Sequence, residues 1–377
     1  MTDLRTVSEP ARVAAADEGI TAEELQLAAR NHGLPLEALS FDVTPAGLHY
    51  LLVHYDVPVI DPAGFRLVVD GLVDTPLSLD LDAIRRRPRV SAVVTLECAG
   101  NGRAGLLPRP ISQPWLVDAV GTARWTGTPL AALLQEAGVR DGAAEVVFTG
   151  ADHGVERGVE QDYQRSLTVA DCLREDVLLA YEMNGTPLPP QHGFPLRLLV
   201  PGWYGMTQVK WLTGISVVAE PFDGFQMQAY RLRQRPDDEG VPLTRMEPRA
   251  LIRPPGFPDF MSRTRIVRPG RTILDGRAWS GWAPVTAVEV SVDGGGSWAA
   301  AELEAAAELE AAAELEAAAG HSRWVRWTWP WDAAPGRYRL AARARDASGR
   351  SQPVDAGWNR GGFANNVVQR VPVLVID

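Results

Sequence analysis

The run Val90–Leu96, rich in β-branched residues, ends in Glu97-Cys98-Ala-Gly-Asn-Gly-Arg103, and this junction constrains the fold more than any other stretch. β-Branched residues suit a half-buried pleated surface, so the run predicts a strand. The small residues after it let the chain turn and let backbone amides come close to a bulky ligand. A thiolate at such a strand end is a soft ligand for a soft or high-valent metal, and Arg103 adds a planar fork for an oxyanion. The chain must therefore build a rigid scaffold that holds one strand end beside a pocket.

Thirty-five Gly, 29 Pro and 12 Trp in 377 residues favour many short strands and turns over a helical bundle, so the expected class is α+β and β-rich. Thr21–Arg30 predicts a helix capped by Thr21, with Glu24 completing a capping box. Leu79–Arg86 predicts a short helix, Pro129–Gly138 a helix with Pro at its start and Gly at its end, and Ser166–Leu173 another. His49–Ile60, Phe65–Gly71, Glu145–Gly150, Val177–Met183 and Leu198–Val200 read as strands, with Asn184-Gly185 as a turn. From Pro187 to Trp211 the concentration of Gly, Pro, His, Arg and Lys at strand ends is what a ligand cradle needs.

Residues 1–245 are expected to form a first domain, with 1–40 as an N-terminal extension, and the charged, Pro- and Gly-bearing stretch 246–262 is expected to be a linker. Residues 263–377 then switch to short alternating strands at 272–279, 285–293, 324–331, 338–346 and 371–376, spaced as in an immunoglobulin-like sandwich. Asp293-Gly294-Gly295 is a hairpin signal. An Ala-Glu-Leu-Glu-Ala-Ala repeat within the low-complexity insertion 301–319 places Leu303, Leu309 and Leu315 roughly 120° apart on a helix, so it has no buried stripe. It predicts a solvated helical excursion from a loop.

A formal net charge of −10 argues against nucleic-acid or anionic-membrane partners, so positive charge for an anionic substrate must be concentrated locally. Only two cysteines, Cys98 and Cys172, are present, which excludes a disulfide framework or a zinc ribbon and fits a reducing compartment. Met1–Ala14 has neither the apolar core of a signal peptide nor a twin arginine, and no apolar run reaches membrane-spanning length. The expectation is a cytoplasmic protein.

Val93-Val-Thr-Leu-Glu-Cys98-Ala-Gly-Asn-Gly-Arg103 resembles the molybdenum-ligand segment of the sulfite oxidase family. Four further blocks match in order: Ala123-Arg-Trp-Thr-Gly127, Leu178-Leu-Ala-Tyr-Glu-Met-Asn-Gly185, His192-Gly-Phe-Pro-Leu-Arg197 and Val209-Lys-Trp211. Gly276-Arg-Ala-Trp279, Val288–Asp293, Arg343–Asp346 and Gln352-Pro353 resemble that family's dimerisation domain, so the likeness runs from about residue 35 to the end. It implies a molybdopterin-binding domain followed by a dimerising sandwich, with no haem domain in this chain.

The resemblance further implies molybdenum held by a pyranopterin dithiolene (molybdopterin) and by Cys98 as the protein's metal ligand. Arg103 and Trp115 match positions that meet substrate, Tyr230 is the candidate tyrosine beside the metal, and His192, Arg197, Lys210 and the backbone at Gly205 match positions that hold the cofactor. Trp125 is expected in the core. His54 stands where the family carries an arginine, and Asp56 stands where it carries a histidine; both are expected at the cofactor and substrate site. A histidine near pKa 6.5 binds an anion only when protonated, so anion affinity is expected to fall as pH rises through the titration of His54. Trp358-Asn-Arg360-Gly361-Gly362 moves an arginine by one place from the family's Trp-Asn-x-Arg-Gly, and Trp203-Tyr-Gly-Met206 departs from its Gly-Ala-Arg wording.

The implied function is oxygen-atom transfer to sulfite or a related small sulfur oxyanion, with electrons leaving to an external redox protein or oxygen and a homodimer as the assembly. The alternatives are a molybdenum reductase or dehydrogenase acting on another S-oxide, an N-oxide or nitrate, and a cofactor-free interaction protein.

Overall fold

Val90–Glu97 forms the edge of an antiparallel sheet. It pairs with Val120–Pro129, which pairs with Leu178–Met183, and that strand is flanked by Thr186–Pro187 and Arg197–Leu199. Here the computed structural model describes residues 12–304 and 322–376. Val94, Leu96, Ala123, Trp125, Ala180 and Leu199 share one buried cluster, so the strand that delivers Cys98 is fixed by packing along its length. Burying a side chain such as Leu or Val contributes about 1.5–3 kcal/mol.

A second sheet runs in the order Leu77–Leu79, Leu67–Gly71, Leu212–Val218, Glu145–Glu156, Val159–Thr168, with only Leu67–Gly71 and Leu212–Val218 parallel. The helix Leu130–Ala137 buries Leu130, Leu133, Leu134 and Ala137, and it ends at Gly138 with φ 71°, a conformation that glycine adopts without strain. The helix Ala22–Arg30 carries the expected capping box. The Glu24 amide donates to Thr21 Oγ1 at 3.2 Å and the Thr21 amide donates to Glu24 Oε2 at 2.9 Å.

Two further sheets face each other across one core that contains Leu274, Trp327, Val288, Leu340 and Val373, forming a β-sandwich. One holds Arg249–Ile252, Gly270–Trp279, Val325–Ala333 and Glu302–Leu303. The other holds Phe257–Pro258, Arg265–Val267, Val371–Val375, Gly336–Asp346, Val285–Ser291 and Ala299–Ala300. Gly294 and Gly295, both at positive φ, sit in the connection between Val285–Ser291 and Ala299–Ala300.

Four local expectations differ from what forms, one of them at Ser166–Leu173, where Ser166–Thr168 end a strand and only Val169–Cys172 is helical. The stretch 246–262 contains strands of both sandwich sheets, because Arg249–Ile252 pairs with Gly276–Trp279 and Phe257–Pro258 with Arg265–Ile266. His49–Ile60 forms no regular strand beyond the bridge of Leu51 to His32, because its backbone groups are engaged by side chains. Lys210 Nζ donates to the Leu52 carbonyl at 2.7 Å, Arg30 to that of Tyr55, and the Val53 amide donates to Asn31 Oδ1 at 2.7 Å. Of the repeat, Glu302–Leu303 pairs as a strand with Trp327–Thr328, and the helical excursion expected at 305–319 lies outside the described residues.

The sandwich meets the first two sheets at the end of Val90–Glu97. Glu97, almost fully buried, lies 2.8 Å from Arg249 Nε and accepts from Trp279 Nε1 at 2.8 Å and Asn101 Nδ2 at 2.9 Å. Tyr204, Met206 and Tyr230 pack there with Leu251, Trp279 and Phe363, so an apolar seam surrounds the ion pair. Removing one partner of such a pair leaves a buried charge uncompensated. Glu97→Gln should therefore cost about 3–5 kcal/mol in denaturant unfolding, while Arg140→Ala, which breaks an exposed contact with Asp74, should cost under about 1 kcal/mol. Equal losses in the two variants would refute the assignment of Glu97 as the anchor.

Candidate active site beside Cys98

The packed strand end delivers Cys98 to the wall of a cavity of about 60 Å³. Its backbone is pinned: the Cys98 amide donates to the Ala119 carbonyl at 2.9 Å, and the Asn101 amide donates to the Cys98 carbonyl at 3.0 Å. Behind it, Asn365 Nδ2 donates to the Gly102 carbonyl at 2.8 Å and the Ala364 amide donates to that of Ala99 at 2.8 Å. The loop after the strand is thus clamped from the sandwich side. Burial pushes the Cys98 thiol above its ordinary pKa, with Arg103 and Trp115 opposing the rise. A thiol held neutral is a poor nucleophile, whereas metal binding displaces its proton.

His54, Cys98, His192, Arg197, Gly205, Lys210 and Tyr230 all line this cavity, although they come from segments far apart in sequence. His54 Nε2 and the Tyr230 hydroxyl are hydrogen-bonded at 2.8 Å. Arg197 Nη1 donates to the His192 carbonyl at 2.9 Å and its guanidinium stacks over Trp125 at 4.7 Å. Lys210 Nζ donates to the Leu52 and Gln191 carbonyls. Burial pushes Lys210 down and the neighbouring Asp152 up. Trp125 is fully buried in the core as expected.

Arg103 and Trp115 stand behind the cysteine loop and do not line the cavity. Arg103 Nε donates to the Gly361 carbonyl at 2.9 Å, Nη1 donates to that of Gln113 at 3.1 Å, and the guanidinium lies 5.1 Å from the Phe363 ring. A side chain at Gly100 would collide with this guanidinium, which explains the glycine. The Trp115 indole N–H is buried without a hydrogen-bond partner among the described residues, yet it lies near enough to the Cys98 sulfur to favour the thiolate.

Two expectations need correcting. Asp56 is outside the site: its side chain is fully exposed, and its nearest cation is Arg30 at 3.6 Å. His54 is not a cation at neutral pH, because burial, Lys210 and Arg103 push its pKa down to about 3. The expected loss of anion affinity through a titration near neutrality therefore has no titrating group at His54.

Residues that the sequence left unmarked complete the lining: His49, Tyr50, Asp152, Tyr163 and Gln208. Gln208 takes the place of a backbone partner, accepting from the Val200 amide at 2.6 Å and donating to the carbonyls of Val200 and Trp203. A side chain at Gly205 would strike the Tyr50 hydroxyl, so only glycine fits there. His49 lies in the segment that reads as a strand, and its recurrence with His54 was the available signal.

Three buried polar atoms of the lining, His49 Nε2, Arg197 Nε and Asp152 Oδ1, have no hydrogen-bond partner among the described residues. Buried polar groups are normally paired, so these atoms call for a polar ligand. A pyranopterin with a phosphate and a soft metal fits this donor set: Cys98 for the metal, and Arg197, Lys210 and the neutral imidazoles for the polar remainder. No group of three or more His, Cys, Asp or Glu arranged for a metal occurs among the described residues, which leaves Cys98 as the thiol at this site.

Residues 54–226 match the oxidoreductase molybdopterin binding domain, and residues 250–376 match the Mo-co oxidoreductase dimerisation domain. The chain is 33% identical over 362 residues to the mitochondrial sulfite oxidase of Rattus norvegicus, covering 89% of this chain and 62% of that one. It thus spans about three-fifths of that relative's length. It is 31% identical over 350 residues to the sulfite oxidase of Arabidopsis thaliana, covering 87% of each. It is also 30% identical over 357 residues to the NADH nitrate reductase of Ulva prolifera, covering 87% of this chain and 40% of that one. The sulfane dehydrogenase SoxCD from Paracoccus pantotrophus has the same fold, with a TM-score of 0.74 at 24% identity over 97% of this chain and 95% of that chain. By these matches, and by a cysteine cavity whose donors fit molybdopterin, the chain belongs to the sulfite oxidase family of molybdopterin oxidoreductases.

Proposed function

We propose that this protein is a molybdenum-cofactor-dependent oxidoreductase that oxidises sulfite or a related small sulfur oxyanion. The observation that carries this reading is that one cavity gathers the Cys98 thiol, the cationic Arg197 and Lys210, and the hydrogen-bonded His54–Tyr230 pair in its lining. The bound cofactor would supply two-electron oxygen-atom transfer. Cys98 would hold the metal, and Arg197, Lys210 and His192 would hold the pterin and its phosphate.

The protein's own contribution is orientation and proton control. Burial, above all, holds Tyr230 well above its ordinary pKa, so its hydroxyl stays protonated and can donate to a reacting oxygen. His54 Nε2, neutral, is hydrogen-bonded to that hydroxyl and fixes its orientation. Arg103 would act from behind the loop as a fixed positive charge that favours thiolate and an approaching anion. The similarity to a nitrate reductase and the neutral His54 support a second reading, in which the same site reduces an N-oxide or nitrate. The orphaned polar lining counts against a cofactor-free interaction protein.

The sandwich, read as immunoglobulin-like, would join two copies into a homodimer, and a separate redox protein or oxygen would accept the electrons. No helix among the described residues is long and apolar enough to cross a membrane. Two free, buried cysteines support the proposed cytoplasmic setting.

Anaerobic mixing with sulfite should bleach the thiolate-to-molybdenum absorption of the purified enzyme in stopped flow. Absence of bleaching at every pH, with turnover of nitrate by a viologen donor, would replace this reading by the second. Tyr230→Phe should lower kcat/KM for sulfite by about a hundredfold with cofactor content unchanged; an unaltered kcat/KM would remove Tyr230 from the chemistry.

The buried histidines also set an acid limit. Burial pushes His49 down to about 4, His54 to about 3 and His192 to about 2. The unfolded chain binds these protons near pH 6.5 and the folded chain does not, so stability is complete above about pH 6.5 and is lost as pH falls below it. His49 alone accounts for about 3 kcal/mol by pH 4. Unfolding free energy measured against pH should fall in this window, and His49→Gln should flatten the fall; an unchanged slope in that variant would contradict the burial of a neutral imidazole.

A further inference from the structure

Arg165 is a buried cation that the proposed chemistry leaves unused. It lies on the strand Val159–Thr168, opposite Phe148 in the sheet, and is almost fully buried. Nη1 donates to the Gln226 carbonyl at 2.6 Å, whereas Nε is buried with no hydrogen-bond partner among the described residues. It forms no ion pair among the described residues. A guanidinium buried without a counter-charge costs stability, so packing alone gives no reason for it.

The contacts of Arg165 converge on Tyr230. Its guanidinium carbon lies 5.9 Å from the centre of the Tyr230 ring, within reach of the attraction between a cation and an aromatic face. The Gln226 carbonyl that accepts from Arg165 also accepts from the Tyr230 amide at 3.3 Å, at the end of the short helix Phe225–Ala229. Tyr163, on the same face of the strand as Arg165, packs its ring 5.0 Å from that of His54 and donates to the Met206 carbonyl at 2.7 Å. One strand therefore reaches both members of the hydrogen-bonded His54–Tyr230 pair, with Tyr163 against the imidazole and Arg165 against the phenol.

We infer that Arg165 is a positioning residue for Tyr230: it holds the carbonyl to which the Tyr230 backbone is tied, and it sets a permanent positive charge beside the phenol ring. The hydroxyl bonded to His54 is thereby kept in place and donates more strongly to a negatively charged oxygen. Among the charges around Tyr230, Arg103 and Arg165 oppose the rise in pKa that burial imposes on its hydroxyl, while Cys98 and Glu156 add to it. The local fold does not need the guanidinium, because the Gln226 carbonyl keeps the Tyr230 amide as a donor without it. The contact stands on this geometry; its effect on turnover rests on the proposed part of Tyr230 in the reaction.

Arg165→Met keeps an unbranched side chain and removes the charge. In the molybdenum-loaded enzyme it should lower kcat for sulfite by about tenfold with KM and cofactor content unchanged, and the unfolding midpoint should not fall, because an unpaired buried charge is gone. Arg165→Lys should recover most of the lost rate. In a Tyr230→Phe background the same Arg165→Met change should cost less than about twofold, since the group through which it acts is already missing. A loss that persists undiminished in that background would overturn the inference, as would an unaltered kcat or a loss matched by a fall in cofactor content. A readout without turnover is the fluorine resonance of 3-fluorotyrosine incorporated in place of Tyr230, which Arg165→Met should move and Arg165→Lys should leave near its parent position. If sulfite fails to reduce the enzyme while the resonance moves in this way, the coupling of Arg165 to Tyr230 stands and only the proposed reaction is refuted. A resonance that Arg165→Met leaves in place overturns the coupling itself.

Discussion

The buried contact of Glu97 with Arg249 and Trp279 is the constraint on which the rest of the site depends. Glu97 immediately precedes Cys98, so one carboxylate joins the strand that carries the cysteine to the sandwich that closes over it. A buried ion pair adds little net stability compared with an apolar replacement, but it penalises every arrangement that separates its partners. The consequence is geometric. The loop Cys98–Arg103 is held on one face by its own strand and on the other by residues 361–365, and the cysteine has little freedom to move. That is the preorganisation a metal ligand needs.

Around this fixed point the cavity separates its charges. The tyrosines and histidines of the lining are kept neutral by burial, while Arg197 and Lys210 bring cationic donors that lean on backbone carbonyls rather than on carboxylates. A site assembled this way has spare donors for an incoming anionic group. The replacement of a family arginine by His54 acquires a physical meaning here. Beside Arg103 a further permanent cation would raise the repulsion, whereas a neutral imidazole bonded to the Tyr230 hydroxyl orients that hydroxyl without adding charge.

Local order was legible in the sequence where chemistry and periodicity agree. The strand into Cys98, the capping box of Thr21 and Glu24, the helix stop at Gly138 and the sandwich hairpin at Gly294 all follow from side-chain rules that act over a few residues. The convergence of Cys98, His192, Arg197, Lys210 and Tyr230 was visible only through resemblance, since no spacing rule brings distant segments together. Two kinds of information were hidden. His49–Ile60 has strand-like residues, but tertiary hydrogen bonds from Lys210, Arg30 and Asn31 claim its backbone. The charge state of His54 and the exclusion of Asp56 depend on burial, which a lone histidine or aspartate does not announce. Gln208 and Asp152 were hidden for the same reason.

The account stands or falls on whether Cys98 holds a molybdenum centre in this cavity. Metal and pterin analysis of the dimer-size fraction, purified from a host that makes the cofactor, tests this most directly when the parent and Cys98→Ser are compared. Near-equimolar molybdenum and pterin in the parent, with molybdenum lost and the fold retained in Cys98→Ser, is the expected result. A parent without molybdenum, or a Cys98→Ser variant that keeps it with an unchanged charge-transfer spectrum, would contradict the account.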